Sequence, residues 1–193
     1  MQIIHDFLTI NEYSRPARKL KKVLAVVMHW TGNPYINAKE TRDYFEAKKN
    51  GLSGYASAHY IIDQNGLIIA AVPEYETAYH CGTDQRDPES GKVYTDEARA
   101  RFGSYASEKN SPNNCTIGVE LCPVDFAGNF SDATINSAIE LCADICRRYG
   151  LTAAAITTHH DVVGWKDCPK LWTEKPQLLD AFRASVADKI KRG

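Results

Sequence analysis

The sequence predicts an α/β fold: a single domain with a central mixed β-sheet flanked by helices. Three features carry that expectation. Short Val- and Ile-rich runs alternate along the chain with stretches whose apolar residues recur at the helical period. Two of these runs are joined across Asn65-Gly66, the dipeptide that closes tight antiparallel hairpins, so the sheet is not purely parallel. The chain has 193 residues, 44% of them hydrophobic and 24% charged, which suits one core. That composition excludes a disordered chain. A formal net charge of −1 leaves no basic footprint for nucleic acid.

Taken in order, the N-terminal stretch 1–22 holds no apolar core of a secretion signal, so synthesis in the cytoplasm is expected. The longest apolar run near it, 23–28, is far short of a membrane span, and no membrane insertion is expected. Residues 21–30 read as a strand buried on both faces, ended by Gly32, Asn33 and Pro34. His29 then sits at the carboxyl end of that strand, where open sheets present functional groups. Residues 38–50 form an amphipathic helix stopped by Gly51. The hairpin strands occupy 57–63 and 67–72.

Residues 82–114 are polar and lack a clear period; they read as an insertion over one face, with a short helix about 96–101. In 116–122 the alternation is clean: Ile117, Val119 and Leu121 share one face, Gly118, Glu120 and Cys122 the other. The clearest helix is 131–149, with Ser131 as N-cap and Gly150 as stop. Its apolar stripe takes in Ile135, Ala138, Ile139, Cys142, Ile145 and Cys146, which places both cysteines in the core. Residues 153–158 predict a further strand ending at His159-His160, and 177–191 a C-terminal helix. No repeat and no second domain are read, so 1–193 is expected to be one unit.

His29 and His159 thus close two strands, and Cys168 follows in a short loop. Two imidazoles and a thiolate have the softness that suits zinc, and three protein ligands leave a fourth position open, the pattern of catalytic sites. Spacing alone does not single them out, because six histidines and six cysteines offer many triples. Without a secretion signal, a disulfide framework is not the expected use of those cysteines.

Five stretches in order make the chain recognisable. They are Val26-Val27-Met28-His29-Trp30-Thr31; Ala56-Ser57-Ala58-His59-Tyr60-Ile61-Ile62-Asp63; Ala78-Tyr79-His80-Cys81-Gly82; Ser111-Pro112-Asn113-Asn114 with Thr116-Ile117-Gly118-Val119-Glu120; and Thr158-His159-His160-Asp161-Val162 through Asp167-Cys168-Pro169. Each is loose alone, but together they resemble the type-2 N-acetylmuramoyl-L-alanine amidases, the family that includes phage lysozyme-like amidases and animal peptidoglycan recognition proteins. The resemblance covers roughly residues 23–172.

It implies a zinc cleft at the strand ends, with His29, His159 and Cys168 as the Zn²⁺ ligands. It implies Glu120 as general base and Lys166 as the residue that steadies the oxyanion. His80 would line the substrate groove, and His59 and Trp30 are further candidates for its walls. Trp165 reads as one extra residue between the second and third ligands, which keeps His160 open as an alternative to His159. Asp167 adjoins Cys168, but the Cys-Pro pair favours the thiolate. The implied reaction is hydrolysis of the amide between N-acetylmuramic acid and L-alanine, in peptidoglycan or its muropeptide fragments, by a monomeric enzyme. Such a protein would work in the cytoplasm, or reach the wall by lysis or a non-classical route. Two rivals stand beside it: a non-catalytic peptidoglycan-binding receptor, and a cysteine hydrolase of cell-wall peptides with Cys168 as nucleophile.

Overall fold

A computed structural model of the chain describes residues 2–51 and 54–192. Its centre is a six-stranded sheet: β1 (Ile3–His5), β2 (Ala25–Trp30), β3 (Tyr60–Ile62), β4 (Ile68–Ala70), β5 (Thr116–Leu121) and β6 (Ile156–Thr158). The spatial order is β1-β4-β3-β5-β2-β6. All neighbours run parallel except the β3–β4 hairpin, so the sheet is mixed as the Asn65-Gly66 turn requires.

The helices are α1 (Ala38–Ala47), α2 (Asp96–Phe102), α3 (Asp132–Tyr149), α4 (His159–Val163), α5 (Lys170–Glu174) and α6 (Pro176–Arg192). Local chemistry sets the main ends. Asn37 and Glu40 form a capping box at the start of α1. Ser131 accepts from the Thr134 N–H at the start of α3, and Gly150, at φ +63°, closes it in the left-handed region.

The period of two along the central strands divides the protein into two sides. Val26, Met28, Ile117, Val119 and Leu121 point into the main core with Leu141, Cys142 and Ile145 of α3 and Phe182 and Val186 of α6. Ala25 and Val27 point the other way, onto Val93, Tyr94, Ala98, Phe102 and Val162. A third cluster packs Phe45 of α1 on Ile61 and Ile69.

The 82–114 stretch buries Val93, Tyr94, Ala98, Phe102 and Ala106 against the face that carries Ala25 and Val27. Its buried aromatic and aliphatic side chains contribute roughly 1.5–3 kcal/mol each when withdrawn from water. Within it, Asp96–Phe102 is the short helix expected, capped by Thr95. Strand 153–158 is corrected: 153–155 form a single 3₁₀ turn, and only Ile156–Thr158 pair with β2. Three alanines carry no β-branched bulk to hold them extended. Strand β1 was not foreseen, because three residues give no readable period; neither were α4 and α5, each only five residues long. All six cysteines are buried and free. Cys142 and Cys146 lie in the main core as their spacing predicts, and Trp172 packs there against Phe130 and Phe182. Among the described residues no helix is long and apolar enough to cross a membrane.

Candidate metal centre and cleft

Three strands deliver the site. In the β2–β5 ladder His29 pairs with Glu120, so both side chains leave the same face at adjacent positions. Strand β6 pairs Thr158 with Met28 and ends there. Thr158 then caps α4, its hydroxyl accepting from the Asp161 N–H while Asp161 accepts from the Thr158 N–H. That reciprocal cap turns His159 inward beside His29, their ring centroids 4.8 Å apart. The loop that follows is tied back by the His160 N–H, which donates to the Cys168 carbonyl at 3.0 Å.

His29, His159 and Cys168 are all buried, and each offers a ligand atom within 4.8 Å of the others. The Cys168 Sγ lies 3.7 Å from His29 Nδ1. Both ring nitrogens of His159 are buried without a hydrogen-bond partner, and so is Glu120 Oε2. Buried polar atoms left bare are costly unless something absent from the chain completes them. A divalent metal between two imidazoles and a thiolate fits this donor set.

The electrostatics agree. Burial, helped by His159 and His80, holds His29 well below its ordinary pKa of 6.5. Burial and then the Lys166 charge bring His159 down to about 3. Both imidazoles are thus neutral, the form that ligates. Burial, with Glu120 adding to it, pushes the Cys168 thiol up to about 12. Burial raises Glu120 to about 7, against a lowering by Lys166.

The other candidates separate clearly. His80 is buried and its Nδ1 stands 3.0 Å from His29 Nε2, so it contacts a triad member directly. His160 points away: its Nδ1 meets the Lys166 carbonyl at 3.1 Å, and it takes no part in the cluster. Asp167 is exposed, with 68% of its side chain in solvent. His59 does not reach the cleft. It is fully buried, its Nδ1 accepting from the Gly118 N–H at 3.0 Å and its Nε2 donating to the Glu76 carbonyl at 2.9 Å. Cys122 packs under α1, with its Sγ 3.9 Å from the Thr41 hydroxyl.

An open cleft of about 1410 Å³ runs from the triad, past Trp30, Glu120 and Lys166, to a wall not read from the sequence. There Arg18 donates to the Tyr79 hydroxyl at 2.7 Å and its guanidinium sits 5.4 Å from the Tyr79 ring centre. The Tyr55 ring lies 5.2 Å from Tyr79. Tyr79 stands in one of the five recognisable stretches, but Arg18 and Tyr55 are single loop residues that give no pattern to find. The Ser111-Pro112-Asn113-Asn114 stretch did give one, and its use is now plain. Asn113 Oδ1 accepts from the backbone N–H of both His80 and Cys81, at 3.0 and 2.8 Å, and so fixes the segment that carries His80.

Comparison with known proteins meets this geometry from outside. Residues 19–171 match the family model described as N-acetylmuramoyl-L-alanine amidase. The chain is 35% identical over 193 residues to a probable N-acetylmuramoyl-L-alanine amidase of Bacillus licheniformis, covering all of this chain and 49% of that protein. It is 34% identical to the N-acetylmuramoyl-L-alanine amidase CwlL of the same organism, over 96% of this chain and 47% of CwlL. The chain thus spans about half the length of these curated relatives. Among solved structures, the PlyG catalytic domain shares the fold with a TM-score of 0.71 at 18% identity, over 98% of this chain and 96% of that one. The catalytic domain of XlyA does so with a TM-score of 0.65 at 20% identity, over 96% and 99%. With the family model spanning β2 to β6, the triad and the Cys-Pro pair alike, the chain belongs to the N-acetylmuramoyl-L-alanine amidase family.

Proposed function

We propose that this chain is a zinc-dependent hydrolase of the amide bond between the lactyl group of N-acetylmuramic acid and the L-alanine of the stem peptide. One observation carries the reading. Two neutral imidazoles and a thiol converge within 4.8 Å at the floor of an open cleft, beside a carboxyl with a bare buried oxygen. His29, His159 and Cys168 are the residues that would hold the metal. Zinc bound there supplies Lewis acidity toward the amide carbonyl and toward water.

The chain's own groups do the rest. Glu120, raised to about 7 by burial, is matched to removing a proton from the attacking water near neutral pH. It then returns that proton to the leaving alanine nitrogen, so the amine departs neutral. Lys166 stands on the cleft rim and sets its charge against the oxygen that becomes negative in the tetrahedral transition state. A fixed charge of this kind contributes roughly 3–4 kcal/mol. Trp30, half-buried and on the cleft wall, offers an apolar surface to sugar or peptide.

A cysteine hydrolase is disfavoured by the thiol pushed up to about 12, because the thiolate is the nucleophile. A pure receptor leaves Glu120 Oε2 without a use. The deciding experiment is mass spectrometry of products from purified muropeptides and from whole wall, with and without a chelator. The expected product is free stem peptide with an unblocked L-alanine amine, lost on chelation and regained with Zn²⁺. Chelator-resistant cleavage within the stem peptide, or no cleavage by zinc-loaded protein, overturns the reading.

A further inference from the structure

The contacts behind His29 form a directed chain. The Thr116 hydroxyl donates to the Pro112 carbonyl at 2.7 Å. A hydroxyl has one proton and two lone pairs, so with its proton spent it can only accept. Two groups lie in reach of those lone pairs: His80 Nε2 at 3.2 Å and Cys81 Sγ at 3.6 Å. His80 therefore carries its ring proton on Nε2, and its Nδ1 is bare. His29 Nε2, 3.0 Å from that bare nitrogen, must be the donor. The result at the far end is a His29 ring whose Nδ1 holds a free lone pair, 3.7 Å from Cys168 Sγ.

His80, the middle of the relay, is held in two ways. Asn113 clamps the backbone of His80 through two N–H groups. The His80 ring packs tightly on Gly118, where a Cβ would fall 2.4 Å from His80 Cγ. His159 has no hydrogen-bond partner on either nitrogen, so this support is particular to His29.

We infer that Thr116 and His80 are positioning residues that fix the ring proton of His29 on Nε2 and so present its bare Nδ1 to the metal. The inference rests on the metal reading of the triad, but the proton assignment is testable without metal. In full-length protein labelled with ¹⁵N-histidine and stripped of metal, ring-nitrogen NMR is expected to show both His29 and His80 in the Nε2–H form. A His29 ring protonated on Nδ1 overturns the inference.

The second arm is a titration with Co²⁺, read by its thiolate and ligand-field absorption. Thr116→Val keeps the shape and removes the hydroxyl; it is expected to weaken cobalt binding roughly 10–100-fold, the usual cost of losing an outer partner of a ligand. Thr116→Ser keeps the hydroxyl and is expected to recover most of that loss. Unchanged cobalt affinity and unchanged ring signals in Thr116→Val overturn the proposal. A chain that takes up neither Zn²⁺ nor Co²⁺ sinks the metal reading instead, and the ring-proton assignment still stands or falls by the NMR spectrum.

Discussion

His29 and Glu120 are register partners in a parallel ladder, so one pair of neighbouring backbones sets both a triad imidazole and the carboxyl beside it. Their separation is fixed by strand pairing rather than by loops. The two roles should therefore separate cleanly by substitution. Cys168→Ala is expected to lose both zinc and activity. Glu120→Gln is expected to retain zinc and fall by about 10²–10⁴ in kcat, the range for a lost general base. Metal content by elemental analysis beside initial rates checks both, and a Glu120→Gln protein near full rate would remove the general-base role.

His159 and His160 are adjacent in sequence and opposite in direction. Only His159 faces the cluster, while His160 bonds the Lys166 carbonyl. His159→Ala is expected to empty the site. His160→Ala should leave zinc stoichiometry intact and loosen the loop by about 0.5–1.5 kcal/mol, the net worth of one hydrogen bond. Finding zinc lost only from His160→Ala reverses the assignment.

The acid limb of the rate is expected near pH 7, with activity rising as the Glu120 carboxyl ionises. Lys166 holds that carboxyl lower than burial alone would set it. Lys166→Met should therefore move the limb to higher pH and cut kcat by about 10²–10³. A slower enzyme with an unmoved pH profile argues against coupling between the two.

His59 offers a test of stability alone. Burial brings it from 6.5 down to about 4, so the folded chain resists a proton that the unfolded chain accepts. Its contribution is complete above pH 6.5 and is lost as pH falls through about 4; a shift of this size is worth on the order of 3 kcal/mol. Denaturant midpoints between pH 7 and pH 4 should drop, and His59→Gln should flatten that slope while lowering stability at pH 7.

Gly118 is needed for space and not for a left-handed backbone, since its φ is not positive. Gly118→Ala drives a Cβ into the His80 ring and is expected to cost about 1–3 kcal/mol, with weaker metal binding. Wild-type stability in that variant would mean the ring lies elsewhere.

Much of this was legible beforehand. The alternation at 116–122 put Glu120 opposite Ile117, Val119 and Leu121, and β5 obeys it. The Val-rich run placed His29 at a strand end. The choice between His159 and His160 was not legible, because it turns on the Thr158 cap, whose direction is a property of three dimensions. His59 misled for a related reason. Its position at the start of a strand suggested the cleft, but the Gly118 N–H and the Glu76 carbonyl claim both its nitrogens from far along the chain. The Arg18–Tyr79 wall left no periodic trace at all.

The alternation of the central strands has a practical consequence. Residues that hold the protein together through α3 and α6 stand on one side of the sheet, and those that face the cleft stand on the other. Substitutions in the α3–α6 core thus touch no cleft-lining residue, whereas Phe45, Val93 and Tyr94, packed on the opposite face, also line the cleft. An engineer seeking a hardier protein has the α3–α6 side as raw material, with little reason to expect a cost at the cleft.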